Sequence, residues 1–283
     1  MRSSDRLIGA ALLGASLFVL GWNLGGEGPD RRGEWVARDI ARTMRETGDW
    51  ITPRLLGEPY FKKPPLHYWC VAASAAFGGV SIEAARRPVV LFSLAGLLLA
   101  SVWAKEIGGA RAGVLAAAVA LGNTLYFLSA RTAMMDAPLA VLVAASTRWL
   151  GRGALLRGWA AAGLGFLAKG PLGVLLPVGA VGLERLLTRR GRELGRLFAP
   201  SGILAFLLVA APWPIAMTAR HGTAFVRTFF VEEGLLAFAT DEGHRSTSPW
   251  PYLPILLSSF TVFAPALFGA ARAAWRSPSS NLR

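Results

Sequence analysis

Long charge-free runs constrain this chain more than any other feature. Residues 7–24, 88–104, 112–130, 197–219 and 246–271 contain no Asp, Glu, Lys or Arg. Crossing a bilayer takes roughly 20 apolar residues, fewer for short or tilted segments. Residues 137–147 form a shorter run between Asp136 and Arg148, read as extending to Leu150. Residues 158–183 form another, interrupted by Lys169-Gly170-Pro171. That interruption reads as two short helices meeting at a break, which is tolerated at membrane depth where backbone lines a cavity or is buried in protein. The chain is 53% hydrophobic and only 17% charged, so a soluble domain is excluded in favour of an all-α, multi-pass membrane protein. Residues 7–24 follow Arg2 and Arg6, as in a signal peptide. The apolar stretch is long for one and no small-x-small cleavage site precedes Gly25, so it is read as an uncleaved first helix.

The charges between the runs are distributed unevenly. With 64–82 lying along the surface and eight runs crossing, one side holds fifteen Lys and Arg against four acidic residues. The other holds fifteen against thirteen. Short basic segments stay cytoplasmic. Both termini, including the basic tail 272–283, are therefore expected in the cytoplasm, and the 25–87 loop outside. The net charge of +13 reflects topology; a nucleic-acid binder would cluster its charge without long apolar runs. The lone Cys70 excludes an internal disulfide. The ten tryptophans suit interface belts.

The 25–87 loop is too long for a simple connector. Residues 34–48 read as an amphipathic helix, with Val36, Ala37, Ile40, Ala41 and Met44 on one face and Gly48 as its stop. Such a helix can lie in the membrane interface. Glu34 sits at its start. Gly57-Glu58-Pro59 reads as a turn. Lys62 and Lys63 follow, stiffened by Pro64 and Pro65. Two rigid lysines at an outer mouth suit a lipid phosphate. Snorkelling anchors are the competing reading.

Several motifs occur in order. They are Ile40-Ala41-Arg42-Thr43-Met44, then residues 47–55 (TGDWITPRL), then Tyr60-Phe61-Lys62-Lys63-Pro64-Pro65-Leu66. Ala84-Ala85-Arg86-Arg87-Pro88 and Arg131-Thr132-Ala133-Met134-Met135-Asp136 follow. Leu167-Ala168-Lys169-Gly170-Pro171, residues 229–235 (FFVEEGL), His244-Arg245 and residues 249–254 (PWPYLP) complete the set. Together they resemble the dolichyl-phosphate-mannose–protein mannosyltransferase-like group, especially bacterial aminoarabinose transferases, over about residues 7–270. The resemblance implies a GT-C membrane fold over residues 1–271. It also implies transfer of a sugar from a polyprenyl phosphate carrier to an outer-face acceptor, a glycolipid such as lipid A, a protein hydroxyl or another envelope glycan. It gives Lys63 the carrier phosphate, Asp136 a place near the sugar-phosphate or a metal, and Glu232, Glu233 and His244 a place where a later outer loop nears the cavity. Two positions depart from the pattern. The usual Asp-Glu pair is Gly33-Glu34 here, and the acid before the loop lysine is Lys62. The soluble outer domain of longer relatives is expected to be absent from this chain.

The chemistry such a transfer needs is stabilisation of a leaving phosphate and orientation of an acceptor. Lys63, with Lys62, Arg131, Lys169 and Tyr60, is the candidate phosphate-binding set. Glu34 is the candidate base, with Asp136 a second catalytic carboxylate. Asp136 paired with Arg131, or Lys169 capping its broken helix, are the structural alternatives. Glu233, His244 and Asp136 are the candidates for a divalent metal ion. His67 and His221 are expected at the interface. Expected partners are a polyprenyl-phosphate-linked sugar, the acceptor and membrane lipids, with no nucleic acid. Two other classes compete: an inactive or truncated carrier-binding module, and a transporter, whose expected internal repeats are missing.

Overall fold

A computed structural model describes residues 3–26, 32–236, 250, 252–259 and 272. Among these, the architecture is helical, with one two-residue hairpin as its only sheet. Helix α1 (Ser3–Gly21) leads into the 25–87 loop, which carries α2 (Arg32–Thr47), strands β1 (Arg54–Leu55) and β2 (Glu58–Pro59), and α3 (Leu66–Ser74). Then come α4 (Ile82–Gly122), α5 (Thr124–Ala130), α6 (Asp136–Gly151), α7 (Leu155–Lys169) and α8 (Leu172–Leu187). The short α9 (Leu194–Leu197), α10 (Pro200–Ala210), α11 (Pro212–Val226), a π-helical turn over Arg227–Leu236 and α12 (Tyr252–Ser259) complete the described elements.

The amphipathic reading of α2 matches its burial. Ala37, Ile40, Ala41 and Met44 pack against Tyr68, Val71 and Ala72 of α3. Gly48 ends the helix at φ +72°, and its N–H closes on Met44 O at 3.0 Å. Asp39, which is not among the apolar residues of that face, is buried as well and accepts the Leu56 N–H at 2.7 Å and the Arg42 guanidinium. The turn after β1 is tighter than the sequence suggested. Leu56 and Gly57 both take positive φ (52° and 87°), as a two-residue turn of primed type requires. At nine residues, α3 is about 14 Å long and cannot cross a bilayer.

Helix α4 is two helical segments joined at a kink. Gly109 adopts φ 79°, ψ −174°, a conformation open to glycine. The segment after it folds back on the segment before: a Cβ at Gly113 would lie 2.7 Å from Ser101 O, residues that a straight helix would hold about 18 Å apart. The Tyr126 hydroxyl of α5 then donates to Ser93 O. The two charge-free runs at 88–104 and 112–130 are thus the two arms of one helical hairpin. The break expected at Lys169-Gly170-Pro171 is present, with Gly170 at φ 71°. Across it α7 and α8 approach closely at Gly165 and Gly173, where a Cβ on Gly173 would lie 2.0 Å from Gly165 C.

The helices are shorter than the apolar runs predict. By length and composition, among the described residues, Ile82–Gly122 alone qualifies to cross a membrane, and Gly191–Leu197 with Pro200–Ala210 qualify only as a pair bent by 45°. Helices α6, α7 and α8 have 15 to 16 residues, because Gly151-Arg152-Gly153 and Gly170-Pro171 interrupt them. Most of the last apolar run, 246–271, and nearly all of the basic tail fall outside the described residues.

Two ends of the bundle are defined by contacts. At one end, Arg86 near the start of α4 donates to Leu24 O (3.0 Å), Arg131 at the end of α5 reaches the end of α1, and the start of α6 meets the end of α7. At the other, Glu106 of α4 accepts from Arg148 and Arg152 of α6, and Arg185 of α8 donates to Glu193 O at 2.6 Å.

Candidate active site

The first end gathers nearly every described residue singled out from the sequence. Glu34, in the first turn of α2, is fully buried. Its Oε1 accepts from Arg86 Nε at 2.7 Å and from the Ala133 N–H at 2.8 Å; its Oε2 accepts from Arg86 Nη2 at 3.0 Å. A carboxylate with no exposed area in a forked guanidinium pair has little freedom to take a proton from an acceptor. Its clearest effect is on the Thr132–Met135 loop, which it holds through Ala133. Gly33 beside it packs under Met134: a Cβ there would sit 2.5 Å from Met134 Sδ. The space of the missing acidic side chain is therefore occupied by a thioether.

His67, at the start of α3, is buried rather than interfacial. Its Nε2 lies 3.2 Å from Ala133 O, so the Nε2-protonated tautomer donates there. Burial pushes its pKa down to about 4, with the hydrogen bond to Ala133 and then the Asp136 charge pulling the other way. Ala133 is thus held from both sides, by Glu34 on its N–H and His67 on its carbonyl. Three residues later comes Asp136.

Asp136 pairs with Lys169, not with Arg131. Asp136 opens α6 and Lys169 closes α7, so each also complements the dipole of its own helix. Asp136 remains accessible, with 55% of its side chain exposed. Arg131 is occupied elsewhere. Its guanidinium donates to the carbonyls of Val19 (2.7 Å), Leu20 (3.1 Å) and Trp22 (2.6 Å) and stacks over Phe127. These are orphan carbonyls at the end of α1, so Arg131 caps that helix.

Lys63 Nζ lies 2.6 Å from Glu233 Oε2, and both side chains are about one quarter exposed. This pair joins the Pro64-Pro65 turn to the segment after α11. Tyr60 lies against Tyr68 edge to face. Burial raises the Tyr60 pKa, and the nearby Glu233 carboxylate raises it further. Lys62 is exposed. Glu232 pairs with Arg227 at 3.1 Å, away from Lys63. His221 bonds Thr52 Oγ1 at 2.9 Å through Nε2. The loop segment 49–52 is tied to α11 by that bond, by Trp213 Nε1 to Ile51 O (2.9 Å) and by Arg220 to Asp49 (2.8 Å). An aromatic cluster of Trp213, Phe225 and Phe229 lies below.

Among the described residues no three His, Cys, Asp or Glu side chains gather as a metal site. Glu233 and Asp136 each hold a lysine ammonium instead, and His244 lies outside the described residues. Sequence reasoning missed the roles of Arg86 and His67. The arginine pair Arg86-Arg87 just before the apolar run at Pro88 was the available signal for the first, since an ion at a membrane edge needs a partner. Nothing local signalled the second.

Comparison with known proteins places this arrangement. Residues 62–216 match the family model described as dolichyl-phosphate-mannose-protein mannosyltransferase. An undecaprenyl phosphate-alpha-4-amino-4-deoxy-L-arabinose arabinosyl transferase of Edwardsiella ictaluri is 33% identical over 251 residues, covering 84% of this chain and 45% of that protein. The corresponding Pseudomonas aeruginosa protein is 34% identical over 248 residues, 83% of this chain and 45% of its own length. The chain therefore spans about half the length of the curated relatives it matches. Among solved structures, ArnT from Cupriavidus metallidurans in the apo state superposes with a TM-score of 0.83 at 26% identity, covering 96% of this chain and 52% of that one. The same protein bound to undecaprenyl phosphate gives 0.82 at 27% identity, covering 95% and 51%. The matched model covers more than half of the chain, and the helical fold agrees with the solved relative along nearly all of it. The chain belongs to the dolichyl-phosphate-mannose-protein mannosyltransferase family of membrane proteins.

Proposed function

We propose that this chain forms the carrier-binding part of a membrane glycosyltransferase, moving a sugar from a polyprenyl phosphate to an acceptor at the outer face. The observation that carries this reading is Lys63. It projects from a proline-stiffened turn, remains partly exposed, and its partner Glu233 comes from a different segment. A phosphate arriving there can replace Glu233 on the ammonium, a compact charge suited to phosphate. One solved relative is named as bound to undecaprenyl phosphate, which supports the same ligand class here.

In the transfer, an acceptor oxygen bonds to the anomeric carbon while the bond from that carbon to the carrier phosphate oxygen breaks. The phosphate leaves with the electron pair, and Lys63 stabilises its charge. Lys62, exposed next to it, adds to the field. Tyr60, held neutral, offers a hydroxyl to the phosphate. Asp136, an accessible carboxylate beside the loop that Glu34 holds, orients the acceptor and takes its proton where the acceptor is a hydroxyl. Lys169 then holds Asp136 in place. Glu34 and Arg131 act as positioning residues. The face is the outer one, with both termini inside, because the basic segments lie at the opposite end. The acceptor is an envelope molecule such as a lipid A-like glycolipid or a protein hydroxyl.

A carrier-binding module without turnover is the second reading. It is favoured by Gly33 and by the burial of Glu34, which together leave Asp136 as the accessible carboxylate. Purified protein given an undecaprenyl-phosphate-linked sugar and a lipid A acceptor separates the two. Turnover lost in Asp136→Asn, and carrier binding lost in Lys63→Ala, is the expected result. Carrier binding with no turnover establishes the second reading, and no carrier binding at all overturns both.

A further inference from the structure

The opposite end of the bundle carries a polar cavity that the transfer does not use. It has a volume of about 260 Å³ and opens between α4, α6 and α8. Trp103, Thr147, Arg148, Gly151, Arg152 and Glu184 are among its lining residues. One terminal nitrogen of each arginine is spent on Glu106. Arg148 Nε is buried and has no acceptor among the described residues. A buried donor left unmade costs roughly 1–3 kcal/mol, more for a charged group, so it marks a place where an acceptor belongs. Glu184 is exposed at the rim on α8. The cavity thus offers guanidinium donors on one wall and a carboxylate on another. The same helices present Val102, Ile107, Leu183 and Leu187 outward, from 46% to 83% exposed. Large exposed apolar side chains beside a pocket lined by both signs of charge fit acyl chains, not water.

We propose that this cavity binds the headgroup of a phosphoethanolamine-type phospholipid. Its phosphate diester accepts from Arg148 and Arg152, its ammonium faces Glu184, and its acyl chains lie over the apolar flank. Mixed lining charge is the reason for a zwitterionic headgroup: Glu106 and Glu184 balance the two arginines, so the site has no excess charge to favour a purely anionic lipid. Trp103 supplies the amphipathic ring expected at headgroup level.

The proposal is independent of glycosyl transfer and is tested without it. Delipidated full-length protein in detergent is titrated with phosphatidylethanolamine, phosphatidylglycerol or inorganic phosphate, and bound adducts are counted by native mass spectrometry. Wild type is expected to hold one phosphatidylethanolamine at least tenfold more tightly than the Arg148→Gln/Arg152→Gln variant. That variant disturbs Glu106 and could weaken folding, so Gly151→Leu is the decisive comparison. Gly151 lines the cavity and a Cβ there meets nothing within 4 Å, so leucine adds bulk at the cavity wall without a clash that would displace either arginine–Glu106 contact. It is expected to lose the same tenfold with an unchanged melting temperature. Glu184→Gln is expected to abolish the preference over phosphatidylglycerol. Equal lipid binding by wild type and Gly151→Leu overturns the proposal. So does wild-type binding of phosphatidylglycerol as tight as phosphatidylethanolamine, or full displacement of the lipid by millimolar inorganic phosphate.

Discussion

Two carboxylates at one end of this bundle have opposite fates. Glu34 is wholly inside, gripped by Arg86 and the Ala133 N–H. Asp136 is more than half exposed and held by one lysine. The buried region is a clamp joining α1, α2, α4 and the Thr132–Met135 loop. The open region, with Lys63–Glu233 and Lys169–Asp136, joins long side chains that water and ligands can reach. A buried pair is costly to break because one charge is left unmatched, whereas an exposed pair exchanges partners cheaply. Residue type alone would rank Glu34 as the reactive acid. Burial reverses that ranking: the rigid charge is committed to holding the loop, and the exchangeable charge is the one a ligand can reach.

The sharpest test is Glu34→Gln, which takes the negative charge out of the buried pair with Arg86. It should cost about 3–5 kcal/mol, read as a large fall in the unfolding midpoint in detergent. A fully folded Glu34→Gln protein that has lost only turnover would break the comparison and return Glu34 to the role of base. Acid comes next. His67 is buried neutral with a pKa near 4 against about 6.5 unfolded. Between those values the unfolded chain binds the extra proton, so its contribution to stability is complete above about pH 6.5 and is lost as pH falls toward 4. The loss is roughly 3 kcal/mol at most, and a His67→Gln protein should show a flatter pH profile of the unfolding midpoint. Arg131→Ala should cost about 1–2 kcal/mol through the uncapped end of α1, with carrier affinity unchanged. Weakened carrier binding at normal stability would restore Arg131 to the phosphate site. Lys63→Ala should move stability least, by under about 1 kcal/mol, while lowering transfer on the order of 100-fold. A stability loss as large as that of Glu34→Gln would show that the open region is no different from the clamp.

Much of the helical layout was legible because hydrophobic periodicity and glycine or proline breaks are local. The amphipathic face of α2, its stop at Gly48 and the break at Gly170 follow from neighbouring residues. The α4 hairpin was legible as two runs, though not that they form one folded-back element. Short helices were not legible, since an apolar run shows where polar groups are absent and not where the backbone turns. Lys63 could be picked out by its rigid proline context, but Glu233, 170 residues away, could not be assigned to it.

The sequence by itself determined a helical membrane chain with its basic residues grouped between apolar runs, since bilayer thickness and the cost of charge act on local composition. It also determined the family, through motifs in a fixed order. Tertiary structure alone decided which charges are committed. Arg86 on Glu34, Lys169 on Asp136 and Arg131 on the end of α1 are contacts between distant segments. Their energetic meaning depends on burial, a property of the packed bundle that no stretch of sequence carries alone.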